Sequence, residues 1–293
     1  MLADELLRKV RLIEITTRKR VDDFMSGQYR SHFKGHGVQF SEHRLYVPGD
    51  DIRHIDWKVS ARTRDLLVKK YEEERELTVF LIVDSSGSGA FGSEAKLKSE
   101  VAAEIAGMLS YAASHTGDKV GALLFSGGVD LIIPPKKGRQ HNLRIIRDII
   151  SHEPETKGTD LRGALDAAGR IMKHSGVVFV ISDFMADDYA IALKRLARRH
   201  DVVAICVSDQ RELEIPEVGH FLFLDPETGA ERFVDTSSYN FKNWVKNFRE
   251  QHQSRREAAM KGGKVEFLQL QTKDDYGEAV VRFFRARTRR QKR

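Results

Sequence analysis

Five short apolar runs recur along the chain: LTVFLIVD (77–84), KVGALLF (119–125), VVFVISD (177–183), DVVAICVS (201–208) and KVEFLQL (264–270). Runs of this length, apolar at successive positions, are the mark of strands covered on both faces, as in parallel sheets. The stretches between them have helical periodicity. Residues 95–114 put Leu97, Val101, Ile105, Met108, Leu109 and Ala112 on one face. NLRIIRDII, DLRGALDAAGRIM, YAIALKRLARR, the segment after Asp235 and EAVVRFFRAR read as further helices. This alternation predicts an α/β fold with a mostly parallel sheet and helices on both faces. One connection differs: only SGG separates KVGALLF from VDLIIP, so that pair is expected antiparallel, adding one antiparallel edge strand. HFLFLD and ERFVD, on either side of PETGA, form a second expected hairpin.

The chain ahead of residue 77 has a different texture. Residues 2–24 read as an amphipathic helix on Leu2, Leu6, Val10 and Ile13, and residues 25–40 are loop-like, with Gly27, Gly35 and Gly37. A dense polar segment, FSEHRLYVPGDDIRHIDWKVSAR, precedes an extended, highly charged run, LLVKKYEEERE. The expected organisation is an N-terminal helix and signature segment over 1–75, the α/β domain over 76–287 and a basic tail over 288–293.

The formal charge is +6, yet Arg282–Arg293 holds seven Lys or Arg and no acid, which leaves the rest close to neutral. A nucleic-acid-binding fold is expected to carry its basic face on the folded body, so the charge argues little for such a role. No apolar run approaches the ~20 residues that cross a bilayer, and the opening MLADELLRKV does not read as a signal peptide. The single cysteine, Cys206, lies in an apolar strand and reads as a core residue; its solitude fits a reducing cytoplasm.

In an open α/β sheet, ligands sit at the carboxyl ends of the strands, where the strand order reverses. Three segments bring oxygen donors to that rim: Asp84-Ser85-Ser86-Gly87-Ser88, Gly158-Thr159-Asp160, and Asp183 at the end of VVFVISD. Hydroxyls and carboxylates are hard donors of the type Mg²⁺ prefers, with Mn²⁺ or Ca²⁺ as alternatives. This D-x-S-x-S pattern with its two distant partners resembles the metal-ion-dependent adhesion site of von Willebrand factor type A and integrin inserted domains. The resemblance implies a Rossmann-like fold in which Ser86, Ser88 and Thr159 ligate the metal, and Asp84 and Asp183 act directly or through water. A shell rich in neutral hydroxyls leaves the cation under-neutralised, so it should attract a carboxylate from a partner protein.

Upstream, Gly35-x-Gly37-x-x-Phe40, Arg44-x-Tyr46-x-x-Gly49-Asp50-Asp51-x-Arg53-x-Ile55-Asp56-Trp57, Ala61-Arg62 and Tyr71-x-Glu73 resemble the bacterial domain-of-unknown-function family numbered fifty-eight. Its members are von Willebrand A-like and are commonly encoded beside MoxR-type AAA+ ATPases. The pattern departs from the family at Gln39, where an acid is frequent, and at Gly89, where Met is frequent. The resemblance implies a cytoplasmic, Mg²⁺-dependent adaptor that works with such an ATPase on a client complex. Within the signature, Asp50, Asp51, Arg53, Asp56 and Arg62 are expected to form an ion-pair clasp, with Trp57 and Tyr46 packed over the sheet edge. A docking surface or second metal site is the alternative.

His36, His43 and His54 fit no common zinc spacing. Phe241, Trp244 and Phe248, at helical spacing, are expected in the core. A metal-dependent phosphohydrolase is the competing reading of the whole chain, and nucleic-acid binding through the tail a further one. The first is disfavoured by Ser86, where an Asp-x-Asp site needs its second acid; the chain also has no GxxxxGK[ST] phosphate loop, so it is not itself the ATPase.

Overall fold

A computed structural model describes Leu12 and residues 39–63, 65–72, 77–90, 96–209, 219–224 and 231–291. The amphipathic helix expected over 2–24 lies, Leu12 apart, outside the described residues, as does His36. The chain divides into two compact units, one of Phe33–Leu77 and one that contains everything from Thr78 onward.

In the smaller unit, β1 (Gln39–Leu45) and β2 (Leu67–Glu72) form an antiparallel pair, with helix α1 (Trp57–Thr63) between them. The ion pairs of the signature are local ones. Arg44 grips Asp50 through both guanidinium nitrogens, at 2.7 and 2.6 Å. Arg53 pairs with Asp51 at 2.7 Å, and His43 Nε2 lies 3.1 Å from Asp56. The Arg44 guanidinium holds Asp50 down at about 2. Trp57 does not pack over a sheet edge: it is 64% exposed.

The larger unit holds β3 (Thr78–Asp84), α2 (Lys98–His115), β4 (Lys119–Phe125), β5 (Val129–Lys136), α3 (Arg139–Ser151), α4 (Leu161–Ile171), β6 (Val177–Ser182), α5 (Ala190–Ala197), β7 (Asp201–Ser208), β8 (His220–Leu224), β9 (Glu231–Asp235), α6 (Tyr239–Gly263), β10 (Glu266–Gln271) and α7 (Tyr276–Gln291). Six strands form one sheet in the order β10-β7-β6-β3-β4-β5, parallel except for β4–β5. The expected antiparallel edge is therefore β5, and β8–β9 is the second hairpin.

Burial on both sheet faces explains the unbroken apolar runs. On one face Phe80, Ile82, Leu123, Val178, Val180, Ala204 and Cys206 pack under α4, α5 and the end of α6. On the other, Phe179 meets Phe284 of α7 edge-on at 6.0 Å, and α2 packs against α3 and α7. Each fully buried large apolar side chain here stabilises the fold by roughly 1.5–3 kcal/mol. Helix α6 ends as expected at Gly262–Gly263, with Lys264 in the left-handed region at φ 54°.

One sequence expectation fails on a helix face, and another, the α2 face of Val101, Ile105, Met108, Leu109 and Ala112, holds except at Leu97. Trp244 is 58% exposed, and Phe241, Trp244 and Phe248 stack on one another along the outside of α6 rather than in the core. On α2 the buried face begins at Lys98, 4% exposed, while Leu97 caps the helix at 39% exposure. The i, i+3, i+4, i+7 stripe is Lys98, Val101, Ala102 and Ile105.

Candidate metal site

Strand order sets the place of the site. From β3 the chain moves outward to β4 and β5, then returns to the other side of β3 as β6 and continues outward through β7 to β10. The order thus reverses between β3 and β6, and both carboxylates lie at that switch point: Asp84 closes β3 and Asp183 follows β6.

Below the site, Asp84 is fixed on both oxygens. Its Oδ1 accepts the Ser86 N–H at 3.0 Å and its Oδ2 accepts the Ser182 hydroxyl at 2.7 Å. A 3-10 turn over Gly87–Ala90 then brings the Ser86 and Ser88 hydroxyls within 3.1 Å of each other. Ser88 Oγ donates to Asp183 Oδ2 at 3.0 Å, and Lys98 Nζ donates to the same oxygen at 2.9 Å. Asp183 Oδ1 accepts the Met185 N–H at 3.1 Å. Phe184, between them, sits in the left-handed region at φ 57°, a conformation that costs a bulky residue energy and gathers at functional turns. Burial of its ring against Tyr189 and Phe267 holds it there.

Asp84, Ser86, Ser88 and Asp183 are therefore brought together in one hydrogen-bonded chain. Thr159, half-buried, belongs to the adjoining α3–α4 loop. That loop is tied to the β4–β5 turn: Asp160 N–H donates to Ser126 O at 2.7 Å, and Ser126 Oγ lies 3.1 Å from Thr156 Oγ1. Asp130 secures the tie, accepting from Ser126 Oγ at 2.9 Å and meeting His152 Nε2 at 2.9 Å. Ser85 bridges back to the first loop, donating to Phe125 O at 2.8 Å. Gly127 is required at this contact, since a Cβ there would come within 2.2 Å of Lys157 O.

The two carboxylates of the cluster shift in opposite directions. Burial, then the charge of Asp183, pushes Asp84 up to about 6. Burial also pushes Asp183 upward, but the Lys98 ammonium, the Met185 N–H and the Ser88 hydroxyl together hold that carboxyl below its ordinary value. A small pocket opens here, lined by Asp84, Ser88, Lys98, Ser182, Asp183 and Val207 among others. The donor set fits a hard divalent cation. Ligands at roughly 2.0–2.1 Å around Mg²⁺ lie about 3 Å apart along an octahedron edge, the spacing found between Ser86 Oγ and Ser88 Oγ and between Ser88 Oγ and Asp183 Oδ2. Among the described residues no group of three or more His, Cys, Asp or Glu side chains is placed to hold a metal ion, so a cation here would depend on the serine and threonine hydroxyls.

Sequence reasoning missed Lys98, Ser182 and the Asp130–His152 tie. Only Lys98 left a signal, a charge at the first position of an apolar helical stripe.

The family model described as "Protein of unknown function DUF58" matches residues 42–258. The chain belongs to this family. The match takes in the signature from Arg44 onward and all five candidate ligands. Two relatives within reach are uncharacterized mycobacterial proteins, Rv1480 of Mycobacterium tuberculosis and Mb1516 of Mycobacterium bovis. Each is 32% identical over 288 residues, covering 97% of this chain and 90% of the relative. Among solved structures, an aerotolerance-related membrane protein from Bacteroides fragilis superposes with a TM-score of 0.52 at 16% identity, over 73% of this chain and 99% of that one. It supports the fold alone. Among the described residues of this DUF58 chain, no helix is long and apolar enough to cross a membrane.

Proposed function

We propose that this DUF58 protein is a divalent-cation-dependent protein-binding adaptor whose site is of the metal-ion-dependent adhesion type found in von Willebrand factor type A domains. One observation carries the reading: two carboxylates at the switch point, Asp84 tied to the Ser86 N–H and Asp183 to the Ser88 hydroxyl, with the two serine hydroxyls 3.1 Å apart between them. Ser86, Ser88 and Thr159 would hold Mg²⁺, or Mn²⁺ or Ca²⁺, through their hydroxyls, with Asp84 and Asp183 directly or through water. The bound cation supplies a Lewis-acidic position that a carboxylate of a partner protein completes. Ser182 and the Ser86 amide orient Asp84, and the Ser126–Asp130–His152 tie positions the Thr159 loop.

The reading is of binding without turnover. Kinship with DUF58 proteins encoded beside MoxR-type AAA+ ATPases supports such an ATPase as a cytoplasmic partner, acting with this chain on a client complex. The test is the affinity for that neighbouring ATPase of wild type, wild type with EDTA, and Thr159→Ala, with circular dichroism on each. The expected result is weaker binding in the second and third with folds intact. Equal binding in all three would show that the metal site is not the recognition site, and absence of binding in wild type would overturn the adaptor reading.

A further inference from the structure

Lys98 is placed against two general preferences. It opens α2, at the positive end of the helix dipole, where a cation is disfavoured. It is also buried, where an ammonium is costly without a paired charge. Its Nζ meets Asp183 Oδ2 at 2.9 Å, the oxygen that also accepts Ser88 Oγ at 3.0 Å. A cation of the chain's own thus lies against the carboxylate oxygen that faces the serine pair. Asp84, by contrast, is held by the neutral Ser86 amide and Ser182 hydroxyl.

We infer that Lys98 is a built-in competitor for the divalent cation: it weakens metal binding and leaves the loaded site with a net positive charge that favours a carboxylate ligand. This rests on the metal-site reading above. Two carboxylates and one ammonium make the site a formal monoanion, so a divalent cation turns it into a monocation. Without the ammonium the loaded site would be neutral. Removing the charge should therefore tighten the metal and loosen the anion, two effects of opposite sign that a purely structural lysine would not produce.

The experiment is calorimetric titration of Mn²⁺ into wild type, Lys98→Met and Asp84→Asn, with circular dichroism as the fold check and Lys98→Gln in place of any Lys98→Met protein that misfolds. Acetate is then titrated into the Mn²⁺-saturated proteins. Lys98→Met is expected to bind Mn²⁺ at least about tenfold tighter than wild type, since like charges within one buried site repel strongly. It should also bind acetate more weakly, and Asp84→Asn should lose Mn²⁺ binding. If wild type binds Mn²⁺, Asp84→Asn does not, and Lys98→Met binds no tighter, the competitor role is overturned while the metal site stands. Unchanged acetate binding overturns the anion-selecting role. If neither wild type nor Lys98→Met binds Mn²⁺, both readings fall.

Discussion

Ser182 Oγ donates to Asp84 Oδ2 at 2.7 Å, so a hydroxyl at the end of β6 braces the carboxylate at the end of the neighbouring β3. The brace holds Asp84 in a buried position beside a second carboxylate, where its ionised form is disfavoured. In metal-free protein at pH 7.5, Asp84→Asn should therefore raise stability, by on the order of 2 kcal/mol. Urea denaturation in EDTA checks this; a loss of stability would show that Asp84 is not held at a cost.

His200 gives a pH dependence of known sign. It is buried, neither ring nitrogen has a hydrogen-bond partner among the described residues, and burial followed by the Arg199 charge lowers its pKa. Near pH 6.5 the unfolded chain binds a proton at this position that the folded chain refuses. The stabilisation is present above the unfolded pKa of about 6.5 and is lost as pH falls toward the lower folded value, with a slope of at most about 1.4 kcal/mol per pH unit. His200→Phe should flatten the stability profile between pH 7.5 and 5.5. An identical slope in the variant would assign the loss to other groups.

Gly127→Ala tests whether the Thr159 loop is positioned by the β4–β5 turn. The added Cβ would meet the Lys157 carbonyl, and backbone cannot yield as a side-chain tip can. A stability loss of about 1–3 kcal/mol is expected, together with a higher Mg²⁺ concentration at the midpoint of metal-induced stabilisation. Lost stability with an unchanged midpoint would mean that the loop's position does not matter to the cation.

The fold was legible because burial on both faces leaves unbroken apolar runs, and because SGG is too short for anything but a hairpin between β4 and β5. Apolar runs do not carry strand order, so Asp84 and Asp183 were joined only by the resemblance to the metal-ion-dependent adhesion site. Lys98 was legible only as a charge opening an apolar stripe, because a lysine in a helix defaults to solvent and its partner, Asp183, is 85 residues away. The α6 aromatics misled for the opposite reason: periodicity marks a face as apolar without saying what covers it. Trp57, 64% exposed, misled in the same way.

Cation binding is the central claim, and thermal unfolding against Mg²⁺ concentration tests it most directly. A ligand bound only by the folded state stabilises by about 2.7 kcal/mol at a hundred times its Kd. The melting temperature of wild type should climb with Mg²⁺ and return on adding EDTA, while that of Asp84→Ala stays flat. An equal rise in both proteins, or none in wild type, would contradict the account.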